Sequence, residues 1–200
     1  MSQSNKRPYH HGDLKRAIVE TAQDMLGEDK GWQFTLREVA RRAGVSHTAP
    51  YKHFPDKAAL LAELATSGFR KLRQVVAAAT TRRSRSSRDE FIAAAKAYIQ
   101  FGISNPSLYR LMFSADVERS AFPELHEAGL SAFAELVGIL ERGQQIGSFK
   151  AQPVQGQAAA CWSLVHGFTL LSIEQQLLPE KVGAHPIDGV LATLLAGIEA

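Results

Sequence analysis

The chain has 200 residues, 45% of them hydrophobic, which is enough for a substantial buried core and too apolar for a disordered polymer. Its net charge of +3 is unevenly spread: residues 1–75 hold 13 of the 23 Lys and Arg against 8 of the 20 acids, so the basic surplus lies wholly in the first part. The single cysteine, Cys161, excludes an internal disulfide; residues 1–8 lack a signal peptide's apolar core and no apolar run reaches the roughly 18 residues of a membrane span, so a soluble, cytoplasmic protein is expected.

Helical spacing recurs along the chain and period-two alternation does not, which predicts an all-α fold of about nine helices. The first spans about Gly12 to Leu26, with Leu14, Ile18, Ala22 and Met25 as its apolar stripe. A second begins at Thr35, where Thr35 and Glu38 have the spacing of a capping box, and continues through Leu36, Val39, Ala40 and Ala43. Gly44 supplies the left-handed residue that ends it, and Val45 plugs the corner.

A short third helix follows, capped by Ser46 or by His47, with Pro50 in or near its first turn. Tyr51 and Phe54 are spaced to point into the core, leaving His47, Thr48, Lys52 and His53 outward. Two short helices joined by a glycine turn, the second presenting polar and basic side chains, have the form that enters a DNA major groove. The candidate DNA contacts are Thr35, Arg37, Ser46, His47, Thr48, Ala49, Tyr51, Lys52, His53 and Lys57, with His47, Thr48 and Lys52 best suited to base edges.

Asp56 caps a fourth helix, whose stripe of Leu60, Leu61, Leu64, Leu72, Val75 and Val76 runs to about Ala79 and joins two halves, residues 1–56 and 57–200. Residues 80–88, with four arginines and no apolar side chain, read as a solvated connector or as a second DNA arm. A capping box at Ser87 to Glu90 opens a helix through Phe91, Ile92, Ala95, Tyr98 and Ile99 that stops at Asn105-Pro106. Pro106 starts a short helix with Leu108, Leu111 and Met112, and Pro123 a longer one ending near Gly147. Two last helices, Pro153 to about Leu178 and Pro186 to Ile198, carry apolar bands too broad for one buried side.

The stretch from about Gly12 to Leu64 resembles the DNA-binding domain of tetracycline-repressor (TetR) family transcriptional regulators. The likeness rests on Phe34 to Ala43, the Gly44-Val45-Ser46 turn, Tyr51 to Phe54 and Lys57-Ala58-Ala59-Leu60-Leu61; Thr48-Ala49-Pro50-Tyr51 stands where members often have Gly-Thr-Leu-Tyr. Tyr9 to Leu14, Asn105-Pro106 to Phe113, and Cys161 to Gly167 with its Trp162 and His166-Gly167, resemble one subgroup. The resemblance implies an N-terminal helix-turn-helix unit and a C-terminal helical bundle. It also implies a homodimer through the last two helices and a small molecule bound in the bundle that alters operator binding.

Candidate ligand contacts are Tyr98, Phe101, Tyr109, Met112, Phe113, Phe133, Trp162 and His166, although such a set at helical spacing is more often plain core; few charges punctuate it, so an apolar or aromatic effector is expected. The expected function is a ligand-responsive repressor binding a palindromic duplex as a dimer, with a regulator controlled by a protein partner as the alternative. An all-helical enzyme is the remote third reading, for no nucleophile and base motif supports it. No metal spacing or cofactor motif is present, so neither is expected.

Overall fold

The computed structural model describes residues 11–28, 31–80 and 86–200. Tyr9, His10 and the polar segment 1–8, together with Arg82, Arg83 and Arg85 of the proposed connector or arm, lie outside the described residues. Helix α1 (His11–Leu26) buries Ile18, Ala22 and Leu26 against α2 (Leu36–Arg42) and the long α3 (Lys57–Thr80). The Asp56 carboxylate accepts from the Ala59 amide at 2.8 Å and caps α3 as its position predicts. Along α3 the expected stripe is buried except for Val75, which is 40% exposed.

Helix α4 (Ser87–Ser104) is capped one residue earlier than the sequence suggests. The Ser86 hydroxyl takes the Asp89 amide at 3.1 Å, while Ser87 is buried inside the first turn. Proline sets the start of the next elements, because its missing amide proton is among those a first turn leaves unpaired. These are α5 (Pro106–Phe113), α6 (Pro123–Gln145), the one-turn α8 (Pro179–Val182) and α9 (Pro186–Ile198). Between α5 and α6 the residues 114–122 form a loop with a 3-10 turn at Arg119–Ala121.

Helix α7 (Val154–Ile173) is shorter than expected. Gln175 adopts φ 55°, the Gln176 amide reaches back to the Leu171 carbonyl at 2.8 Å, and the helix closes in a Schellman motif without the glycine that would have marked it. Helices α3, α4, α6 and α7 form the body of the bundle, with α9 laid over α4 and α7. Two approaches fix this packing: a Cβ on Gly102 of α4 would lie 2.2 Å from Thr169 Cγ2 of α7, and one on Gly143 of α6 would lie 2.1 Å from the buried Phe149 ring.

The C-terminus is tied down by an antiparallel bridge between Phe149 and Glu199 and by Arg88, which holds the Glu199 carboxylate at 2.6 Å. Arg88 therefore serves the fold of the bundle. No described helix is long and apolar enough to cross a membrane.

Candidate DNA-reading surface and ligand cavity

The reading surface is assembled from local signals. The Thr35 hydroxyl accepts from the Glu38 amide at 3.2 Å, and Glu38 accepts in return from the Thr35 amide at 2.7 Å, closing the capping box that starts α2. At its end Gly44 takes φ 68°, the Val45 amide reaches the Ala40 carbonyl at 3.0 Å, and the Gly44 amide reaches Arg41 at 3.3 Å. The chain turns at once into residues 46–49.

The expected recognition helix is reduced to a single 3-10 turn, Pro50–Lys52. Pro50 offers no amide to Ser46, so the Ser46 carbonyl is taken instead by Ala49 at 2.9 Å, and the amides of His53 and Phe54 both converge on the Pro50 carbonyl. Ser46 does not cap by its side chain; its hydroxyl bonds that of Thr48 at 3.1 Å.

This geometry corrects three sequence expectations. Tyr51 is 49% exposed and presents its ring outward, while Phe54, 3% exposed, alone fills the inward role assigned to both. His53, expected outward, is half-buried with Nε2 enclosed and without a hydrogen-bond partner. Ala49 is buried, so it shapes the turn and offers no exposed side chain. Ser46, His47, Thr48, Lys52, Thr35 and Arg37 are exposed together with Tyr51. Lys57 lies at the start of α3 with its ammonium 5.8 Å from the centroid of the Phe34 ring.

The bundle holds a partly open cavity of about 340 Å³ between α3, α4, α6 and α7, within the size range of ligand pockets. Of the residues picked out from sequence, Tyr98, Phe113, Phe133 and Trp162 line it. His166 instead faces a shallower opening beside it, shared with Phe113, Trp162 and Arg119. Tyr109 lies behind the wall, fully buried. Phe101 and Met112 are core residues that do not border the cavity; Met112 fills the space against Gly68, where a Cβ would come within 2.7 Å of its sulfur.

One polar cluster interrupts the apolar wall. The Trp162 indole donates to the Tyr98 hydroxyl at 3.2 Å, Tyr109 donates to the same oxygen at 2.8 Å, and His166 Nδ1 lies 2.7 Å from the Tyr109 hydroxyl. The Phe113 ring packs on the His166 imidazole at 4.4 Å. Burial, and then the positive charge of Arg119, lower the proton affinity of His166, which holds it neutral at physiological pH. Burial raises both tyrosines and pushes the Cys161 thiol up to about 11, so that thiol is an inert part of the wall.

Two polar lining residues escaped the sequence reading, Arg119 and His126. Arg119 lies on the 114–122 loop, where helical spacing gives no signal, and reaches the cavity only through tertiary packing. The same loop touches the DNA-reading end of the molecule: the Trp32 indole, from the segment between α1 and α2, donates to the Asp116 carboxylate at 2.8 Å.

A helix-turn-helix surface joined through a long helix to a bundle with an aromatic cavity defines a DNA-binding transcriptional regulator with a sensory body. Comparison with known proteins agrees at both ends. Residues 18–64 match the family described as bacterial regulatory proteins, tetR family, and residues 91–196 match the tetracyclin repressor-like C-terminal domain. The chain belongs to the TetR family.

Among curated relatives, the uncharacterized HTH-type transcriptional regulator YobS of Bacillus subtilis is 23% identical over 193 residues, covering 94% of this chain and 93% of its own. A solved structure of a protein of unknown function from Rhodococcus sp. RHA1 is 33% identical, with TM-score 0.84 over 98% of this chain and all of its own. The regulator FadR of Bacillus subtilis, solved in complex with stearoyl-CoA, is 17% identical with TM-score 0.74, covering 92% of this chain and all of its own, a likeness of fold.

Proposed function

We propose that this chain is a dimeric repressor whose operator binding is relieved by a small, largely apolar molecule held in the bundle cavity. Residues 1–56 read DNA, and residues 57–200 bind the ligand and dimerise. The observation that carries the ligand-responsive reading is the aromatic cavity beside a loop that is hydrogen-bonded to the DNA-reading end through Asp116 and Trp32. A ligand that seats differently in two arrangements of that loop shifts the population of DNA-binding geometries. The stearoyl-CoA complex of FadR supports an apolar ligand for a bundle of this shape.

The dimer reading is supported by α7 and α9. A Cβ on Gly156, Gly167, Gly189 or Gly197 would meet nothing, so these helical glycines face open space, flanked by exposed Ala159, Ala160, Ala192 and Ala196. An exposed helical glycine costs about 1 kcal/mol relative to alanine, and close approach of a second copy's helices gives such positions a use. Lys52, Thr48 and His47 read base edges, with Thr35, Tyr51, Arg37 and Lys57 placed for phosphates.

The test is a thermal-shift screen of apolar and aromatic compounds on the full chain, followed by gel-shift titration of operator DNA with each stabilising compound. At least one compound is expected both to raise the melting temperature and to release DNA. Stabilising compounds that never alter DNA binding would separate the cavity from regulation and favour control by a protein partner.

A further inference from the structure

Resting on the reading that the cavity holds the effector, we propose that this effector is an amphipathic anion: an apolar body between α4, α6 and α7, with one negatively charged group held by Arg119 at the lip. The cavity lining contains no Asp or Glu, and the opening beside it has Glu118 as its one acid. Arg119 borders both the cavity and the opening beside it, so it stands where a ligand's end would emerge.

The pairing pattern singles this arginine out. Elsewhere in the bundle Arg70, Arg73, Arg88, Arg110 and Arg142 each hold a glutamate. Among the described residues Arg119 has no carboxylate partner, and the adjacent Glu118 accepts from Ser120 at 2.7 Å instead. Its guanidinium is nonetheless fixed, lying 5.5 Å and 5.8 Å from the Phe69 and Phe113 ring centroids and donating to the Met112 carbonyl at 2.9 Å. A guanidinium carries five N–H donors in a planar fork, so after the Met112 bond enough remain for two parallel bonds to a carboxylate. Because the fork is already oriented by two rings and a carbonyl, little freedom is lost when an anion arrives.

The tyrosine cluster beside Arg119 is paired internally. The Trp162 N–H and the Tyr109 O–H occupy both acceptor positions of the Tyr98 oxygen, and His166 Nδ1 lies 3.3 Å from it, so the Tyr98 hydroxyl is satisfied within the wall. Among the described lining residues Arg119 is the single charged side chain, with His126, Tyr98 and Trp162 as polar neighbours on a wall that is apolar elsewhere, and this selects a ligand that brings an anion and no cation. At roughly 30 Å³ per non-hydrogen atom, a 340 Å³ space takes roughly a dozen such atoms. That is the size of a medium-chain monocarboxylate or a two-ring aromatic acid.

Calorimetric titration of the full chain tests this with two acid and alcohol pairs, decanoate against decanol and 2-naphthoate against 2-naphthalenemethanol, repeated on Arg119→Met and Arg119→Lys. In the parent chain at least one acid is expected to bind tenfold or more tightly than its alcohol. Arg119→Met is expected to abolish that preference while changing alcohol affinity less than threefold, and Arg119→Lys to keep part of it. A decanoyl-CoA arm separates the sources: tighter binding than decanoate with the same Arg119 dependence assigns the anion to a thioester conjugate, and weaker binding assigns it to the free acid. An alcohol that equals its acid, or a preference that survives Arg119→Met, overturns the anion assignment and leaves the cavity reading standing. Failure of all four small probes and the thioester to bind overturns both.

Discussion

The Trp32 indole nitrogen donates to the Asp116 carboxylate at 2.8 Å, although 84 residues separate them, and this bond ties the segment before α2 to the loop that carries Arg119. One element thus touches the bundle cavity and the helix-turn-helix end at once. Trp32→Phe keeps the aromatic packing and removes the donor. The 115–121 amides are expected to exchange hydrogen about fivefold faster, matching the loss of roughly 1 kcal/mol for one hydrogen bond, with ligand-free operator affinity within threefold of the parent. Unchanged exchange in that loop would show that the bond holds nothing in place.

Lys52 is exposed and, among the described residues, has no acid partner, whereas Ala49 is buried under the same turn. Lys52→Ala is expected to weaken operator binding by about 1 kcal/mol or more with no change in melting temperature. Ala49→Leu is expected to weaken binding only by lowering the melting temperature, because the added atoms have no space beneath the turn. Gel-shift titrations at fixed salt beside thermal melts separate the two, and equal binding by Lys52→Ala would remove that residue from the contacts.

The capping box at Thr35 starts the helix that positions the whole reading surface. Thr35→Ala is expected to lower stability by about 1 kcal/mol in denaturant titration. Thr35→Ser, which keeps the hydroxyl, is expected to retain most of it.

Gly102 and Thr169 meet where α4 crosses α7. Gly102→Ala places a methyl 2.2 Å from Thr169 Cγ2 and is expected to cost about 1–3 kcal/mol. Pairing it with Thr169→Ser removes that methyl group, keeps the hydroxyl bond to the Val165 carbonyl, and is expected to restore a substantial part of the loss. Additive effects in the double variant would contradict the contact.

Burial and the nearby Arg119 charge hold His166 below its ordinary proton affinity. Below about pH 6.5 the unfolded chain therefore binds a proton at this position that the folded chain resists, so stability falls as pH falls through that value. The melting temperature is expected to drop more between pH 7.5 and pH 5.5 in the parent chain than in His166→Gln. Parallel curves would place the acid sensitivity elsewhere.

The helix-turn-helix was legible because its signals are local: the Thr35 and Glu38 spacing, the Gly44 turn and the Asp56 cap each act within a few residues. The same locality explains the errors. Pro50 announces a short helix but not its reduction to one 3-10 turn, which leaves Tyr51 exposed and His53 half-buried, against their helical spacing. Helix α7 stops short of the expected Leu178 because Gln175 takes a left-handed conformation, and no glycine announces it. In the cavity, helical spacing points to Tyr98, Phe113, Phe133 and Trp162 but does not separate them from the core residues Phe101 and Tyr109, and it gives no sign of Arg119 or His126, since a loop cation and a lone histidine acquire a role only when distant helices bring a wall to them.

Selection of bound duplexes from a random DNA pool by the full chain tests the DNA-reading assignment most directly. The recovered sequences are predicted to share an inverted repeat with half-sites about 34–36 Å apart, less strongly enriched with Lys52→Ala. A pool that shows no enriched duplex, or one asymmetric site bound by a single copy, would contradict it.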